Sequence, residues 1–152
     1  MRRSDVVPGL RVSLVKEGGP VMPDAMADSA ARAAAIARAF VPAGEEREHF
    51  IAIYVDSRSR VKGVSVVSIG TLSASLVHPR EVFRPAIVAG AAAVIVAHNH
   101  PSGDCTPSAE DRDATRRLIR SGELLGVPLL DHVVLGEGDK FASFRELGLL
   151  LQ

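Results

Sequence analysis

Apolar and polar residues alternate in "LRVSLVK", residues 10–16, before a Gly-Gly-Pro break. The pattern predicts a short strand within an extended arm over residues 1–22. Residues 24–40, "DAMADSAARAAAIARAF", are rich in alanine, carry larger apolar side chains at Met26, Ile36 and Phe40, and follow Pro23. They predict a helix with a thin side-chain face, joined by a linker that ends at residue 44. "HFIAIYVD" (49–56) and "VKGVSVVSIG" (61–70) flank the turn "SRSR" and predict a β-hairpin. "PREVFRPAIVAG" places apolar residues at Val82, Phe83, Ala86 and Ile87, the spacing of a helix from Pro79 to Gly90. Pro85 should kink that helix or delay its start. "AAAVIVAH" (91–98) is continuously apolar, as in a strand buried on both faces. Thr106 is the expected N-cap, with Pro107 at the first position, of a helix running to about Leu125 and closed by Gly126. "VPLLDHVVLG" and "KFASF" then predict two last strands around "EGDK".

Composition narrows the classes open to such a chain. At 152 residues and 47% hydrophobic content, one compact domain with a buried core is expected. Eighteen basic and eighteen acidic residues balance to zero, so no global field attracts nucleic acid and any such contact needs a local patch. The single cysteine, Cys105, excludes an intramolecular disulfide framework, and the first residues lack the apolar core of a secretory signal. A reducing cytoplasm is the expected location. The longest apolar run, "AIVAGAAAVIVA", is about 12 residues, short of the roughly 20 that span a membrane.

Chemistry concentrates where the buried strand ends. "AHNHPSGDCTPSAEDRDATRRL", residues 97–118, holds His98 and His100, which share one face of a strand because side chains two apart point the same way. Asp111 lies in the following helix, and Ser108, three residues earlier, shares its face. Two imidazoles and one carboxylate form a three-ligand set whose fourth position is open, the arrangement of catalytic zinc. A lone histidine on an apolar strand more often simply bonds a nearby loop. The full spacing H-x-H-x7-S-x2-D, however, arises by chance on the order of once per million start sites.

These residues resemble the RadC group of JAB/MPN domains, which carry the JAMM metalloprotease motif E…H-x-H-x7-S-x2-D. "LVHPREVFRPAI" and "LLGVPLLDHVVLG" extend the resemblance over roughly residues 45–148. It implies an α/β fold, the JAB/MPN sandwich related to cytidine deaminases, with a mixed sheet between helices over residues 45–152. It implies one zinc ion per chain on His98, His100 and Asp111, with Ser108 bonded to the tetrahedral intermediate. It also implies an upstream glutamate as general base. Glu48, nearest the strand in "EERE", fits that role better than Glu45 or Glu46. The implied activity is hydrolysis of a peptide or isopeptide bond in an unidentified peptide or protein substrate. Asn99 stands where deubiquitinating members have Ser or Thr, which argues against ubiquitin. No helix-hairpin-helix region of the longer RadC proteins fits ahead of residue 45.

Other clusters carry weaker signals. Arg112, Arg116 and Arg120, with Arg117 beside them, form a helical row and a candidate phosphate or acidic-peptide contact. The interleaved Glu110, Asp113 and Glu123 favour a solvated face, so little nucleic-acid binding is expected. In Asp131-His132 the side chains point opposite ways, and one of them is a candidate partner orienting a zinc-bound imidazole. His49 and His78 read as structural, and Cys105 as an inert thiol. The thin alanine helix offers a face for a partner copy. A zinc deaminase needs further cysteines, and an iron oxygenase shares only the ligand list. The "HNH" string matches the nucleases of that name in spelling alone. The remaining alternative is a non-catalytic MPN scaffold or DNA-associated binding module.

Overall fold

A computed structural model describes residue 2 and residues 5–70 and 77–150. Its elements are α1 (Ala30–Arg38), β1 (Glu48–Val55), β2 (Val61–Gly70), α2 (Pro79–Ala89), β3 (Ala93–Asn99), α3 (Ala109–Leu125), β4 (Leu129–Leu135) and β5 (Phe141–Ser143). The strands form one mixed sheet in the order β2-β1-β3-β4-β5. Only the β3–β4 pair is parallel, and α3 makes the crossover between them. Among the described residues no helix is long and apolar enough to cross a membrane.

The two-residue period of the strands divides the core. Ile51, Ile53 and Val55 of β1 and Ala93, Ile95 and Ala97 of β3 face α1, with Ala33, Ala34, Ile36 and Ala37 packed on them. Phe50, Ala52 and Tyr54 of β1 and Val94 and Val96 of β3 face the other way, against Val82, Phe83 and Ala86 of α2 and Leu118 of α3. Helices therefore cover both faces of a mixed sheet, the α/β layering that the resemblance implies. All seven residues of β3 are buried, because it is the central strand and is covered on both faces.

Several boundaries differ from the sequence expectations. The first helix begins at Ala30, not Asp24, because the Ser29 hydroxyl caps the Arg32 N–H at 3.2 Å. Upstream, the Ala27 N–H bonds the Ser59 carbonyl at 2.9 Å and the Val61 N–H bonds the Ala25 carbonyl at 3.0 Å. That segment pairs with the hairpin instead of coiling, and Asp24 takes a left-handed φ of 50°. The second helix starts at Pro79, with Pro85 inside it, so its start is not delayed. Leu10–Lys16 form no strand.

The cap of α3 is Ser108, not Thr106. The Ser108 hydroxyl accepts from the Asp111 N–H at 3.1 Å, and the Asp111 carboxylate accepts from the Ser108 N–H at 2.9 Å. This reciprocal capping box satisfies two donors at once. Thr106 instead gives its N–H and hydroxyl to the Asp104 carboxylate, at 2.9 and 2.7 Å. The helix buries Thr115, Leu118 and Gly122, a spacing that keeps one narrow stripe against the sheet. At Gly122 the backbone lies so close to the β4 approach that a Cβ would sit 2.5 Å from the Val127 carbonyl oxygen.

Candidate metal centre

His98 closes β3 on the face covered by α3, and His100 follows just beyond, its N–H bonded to the Leu135 carbonyl of β4 at 2.9 Å. The capping box brings the Asp111 carboxylate to the same place from the first turn of α3. Three donor groups meet there, through two nitrogens and two oxygens. Nε2 of His98 lies 3.0 Å from Nε2 of His100, and the two oxygens of Asp111 lie 3.2 Å and 3.1 Å from those nitrogens. A tetrahedral ion with bonds of 2.0–2.1 Å separates its ligands by about 3.3 Å, and each side of this triangle of groups is close to that separation.

The hydrogen bonds behind the triangle set where the protons sit. The Thr115 hydroxyl donates to the Asp111 carbonyl at 2.6 Å, so its oxygen is left to accept from Nδ1–H of His132 at 2.6 Å. Nε2 of His132 is then bare and accepts from Nδ1–H of His98 at 2.8 Å. Likewise, Nδ1–H of His100 donates to the Asp104 carbonyl at 2.7 Å. In the neutral form each imidazole would thus aim a lone pair from Nε2 at the same point, beside a carboxylate. Electron-rich atoms in such contact repel one another unless a proton or a metal cation lies between them.

Burial and charge act on each member. Burial pushes His132 well below the ordinary histidine value, and the neighbouring His98 adds to that, keeping the relay neutral. Burial opposes ionisation of Asp111, but its bonds to His100 and His98 outweigh that cost and hold its carboxyl far below the usual range. The Asp111 bond raises His100, against its partial burial. In metal-free protein a proton thereby takes the cation's place.

Glu48 opens β1 on the same face. One of its carboxyl oxygens and one nitrogen of each of His98 and His100 lie within 4.8 Å of one another, a grouping that could hold a metal ion. Among the described residues the Glu48 carboxyl makes no hydrogen bond, unlike Asp111, which touches both histidines. Burial raises its pKa, with Asp111 adding to the rise and the two histidines opposing it. Such a group holds a proton more readily than an exposed glutamate.

A family model for the RadC-like JAB domain matches residues 27–149. The chain belongs to that family. Among curated relatives of this RadC-like domain, a UPF0758 protein of Symbiobacterium thermophilum is 57% identical over 103 residues, 68% of this chain and 44% of that protein. UPF0758 proteins of Rubrobacter xylanophilus and Geobacillus thermodenitrificans are 50% and 53% identical over 105 and 102 residues, each covering 45% of the relative. The chain spans less than half the length of these relatives.

Within the RadC-like domain the other sequence candidates separate. His132 faces the site, stacked on Phe144 at 4.7 Å, while Asp131 points to the opposite side of the sheet. There its carboxylate accepts from the Ser143 hydroxyl at 2.6 Å and from the Arg145 N–H at 3.0 Å, tying the end of β5 to β4. Arg112, Arg116, Arg117 and Arg120 are exposed on the outer face of α3, and Arg116 is paired with Asp113. Thr115, which the sequence reading passed over, lies one helical turn beyond Asp111, and that spacing is the signal for it.

Proposed function

We propose that the domain is a zinc-dependent hydrolase of the JAMM type, with one ion per chain, that cleaves a peptide or isopeptide amide in the cytoplasm. The observation that carries this reading is the pair of bare Nε2 atoms, held 3.0 Å apart and facing one carboxylate. A scaffold has no use for such an arrangement, which costs electrostatic repulsion unless a proton or a metal cation lies between the groups. His98, His100 and Asp111 are the ligands, and imidazole with carboxylate suits zinc. When bound, zinc supplies Lewis acidity, lowering the pKa of a coordinated water from about 16 to about 7.

The chain's own residues do the rest. Glu48, with its raised pKa and no competing hydrogen bond among the described residues, takes the proton of the attacking water on its carboxylate and delivers it to the departing amine. The Ser108 hydroxyl accepts from the Asp111 N–H, so its own proton is available to the oxygen that becomes negative as the amide carbon turns tetrahedral. His132 and Thr115 keep His98 in the tautomer that presents Nε2.

Elemental analysis of protein purified without chelator, combined with a peptide-library cleavage assay, tests this reading. About one zinc per chain and chelator-sensitive cleavage are expected. A stably folded protein that takes up no zinc when it is supplied would favour the scaffold; stoichiometric iron would favour an oxygenase.

A further inference from the structure

Beyond Phe50 and His98, the last residues paired between β1 and β3, the two main chains part. β3 turns toward β4, as the bond from the His100 N–H to the Leu135 carbonyl records. The groups at the start of β1 that face β3 are met instead by one side chain. The buried Asn99 accepts from the His49 N–H through Oδ1 at 2.7 Å, and its Nδ2 donates to the Arg47 carbonyl at 3.0 Å.

The two anchored groups belong to the peptide units on either side of Glu48. Holding both units fixes the φ and ψ of Glu48, and with them the direction of its Cα–Cβ bond. Nothing else among the described residues restrains that carboxyl by hydrogen bonding. A carboxamide is suited to this task because it carries the same donor and acceptor pair as the peptide group it replaces. Aspartate lacks the donor, and alanine lacks both groups.

We propose that Asn99 is a positioning residue for Glu48: by clamping both flanking peptides, it fixes the glutamate to the strand that carries His98 and His100. The catalytic half of the inference rests on the hydrolase reading above, while the clamp itself does not. A displacement of the base by about 1 Å is enough to cost roughly a hundredfold in rate, so the clamp matters even if the fold survives its loss.

The test compares Asn99→Ala and Asn99→Asp with the parent in two measurements. In metal-free protein, amide hydrogen exchange at His49 should be about tenfold faster or more in Asn99→Ala, and less accelerated in Asn99→Asp, which keeps the acceptor. In zinc-loaded protein, using a library peptide that the parent cleaves, kcat should fall about ten- to a hundredfold in Asn99→Ala with KM and zinc content unchanged. Adding Asn99→Ala to Glu48→Gln should cause no further loss, because the residue acts through the base. Unchanged exchange at His49 overturns the clamp whatever the activity. Losses that multiply in the double variant overturn the positioning role and leave Asn99 a stability residue. If the parent cleaves no peptide, the hydrolase reading fails with the positioning role, and exchange alone decides the clamp. Should Asn99→Ala not fold, Asn99→Asp carries both measurements.

Discussion

Nδ1 of His98 lies 2.8 Å from Nε2 of His132, and this buried contact determines which nitrogen of His98 faces His100 and Asp111. Partners of this kind typically account for 10- to 100-fold in metal affinity. His132→Phe, which keeps the packing on Phe144 but cannot accept a hydrogen bond, should weaken zinc binding by about that factor. Thr115→Val, which leaves Nδ1 of His132 without its partner, should weaken it less. Competition with a chromogenic chelator measures both; undiminished affinity in His132→Phe would show that the relay is irrelevant to the metal.

Ligand and base separate by substitution. Asp111→Ala should lower zinc affinity by orders of magnitude and abolish hydrolysis with it. Glu48→Gln should retain zinc while turnover falls by about 10² or more, since an amide cannot take the water's proton. Ser108→Ala should retain zinc, lose activity equivalent to about 3 kcal/mol, and lose about 1 kcal/mol of stability because the hydroxyl also caps α3. Zinc content and turnover of the three variants decide this. Full activity in Glu48→Gln with loss in Glu45→Gln or Glu46→Gln would move the base.

Two histidines give metal-free protein opposite pH limbs. His100 is raised in the folded state by Asp111, so the stability from its proton is fully present below the ordinary value of 6.5 and is lost as pH rises through the raised value. His132 is lowered by burial, so stability falls as pH drops below 6.5, where the unfolded chain takes up that proton. Thermal unfolding with chelator should show maximal stability near pH 6.5. Zinc should remove the loss on the alkaline side, because the ion replaces the proton. Metal-free stability that climbs steadily from pH 6.5 to 8 would contradict the assignment.

Gly122→Ala should destabilise the fold by about 1–3 kcal/mol even though alanine is the better helix former. Its Cβ would meet the Val127 carbonyl oxygen at 2.5 Å, a backbone atom that cannot swing aside. Denaturant unfolding measures the change, and a neutral or stabilised variant would show that the α3–β4 approach can relax.

The arginine row on α3 should bind duplex or single-stranded DNA weakly at physiological salt. Arg116 is already neutralised by Asp113, and the row is interleaved with acidic residues. Tight binding whose salt dependence flattens in Arg112→Ala with Arg116→Ala would reverse that reading.

Much of the molecule is legible in local pattern. The unbroken apolar run of β3, the hairpin of β1 and β2, and Gly90 and Gly126 as helix stops all follow from chain-local physics: side-chain period, turn residues and the left-handed conformations of 64° and 72° that glycine accepts. The spacing of His98, His100, Ser108 and Asp111 is likewise visible, although His100 lies just beyond β3 and Ser108 just ahead of α3, so the strand and helix periods alone do not bring the four together. What the periods leave open was decided in three dimensions. Asp24 to Ser29 have helical composition, yet bonds to Ser59 and Val61 hold Ala25 and Ala27 against the hairpin. Thr106 and Ser108 are both acceptable caps, and the reciprocal bond to Asp111 selects Ser108. The proton positions on His98 and His100 depend on His132, Thr115 and Asp104. The stance of Glu48 depends on Asn99, which lies fifty-one positions along the chain. Contacts at such separations leave no period in a sequence, so only the folded sheet, by bringing β1, β3, β4 and α3 to one edge, determines which polar atoms meet.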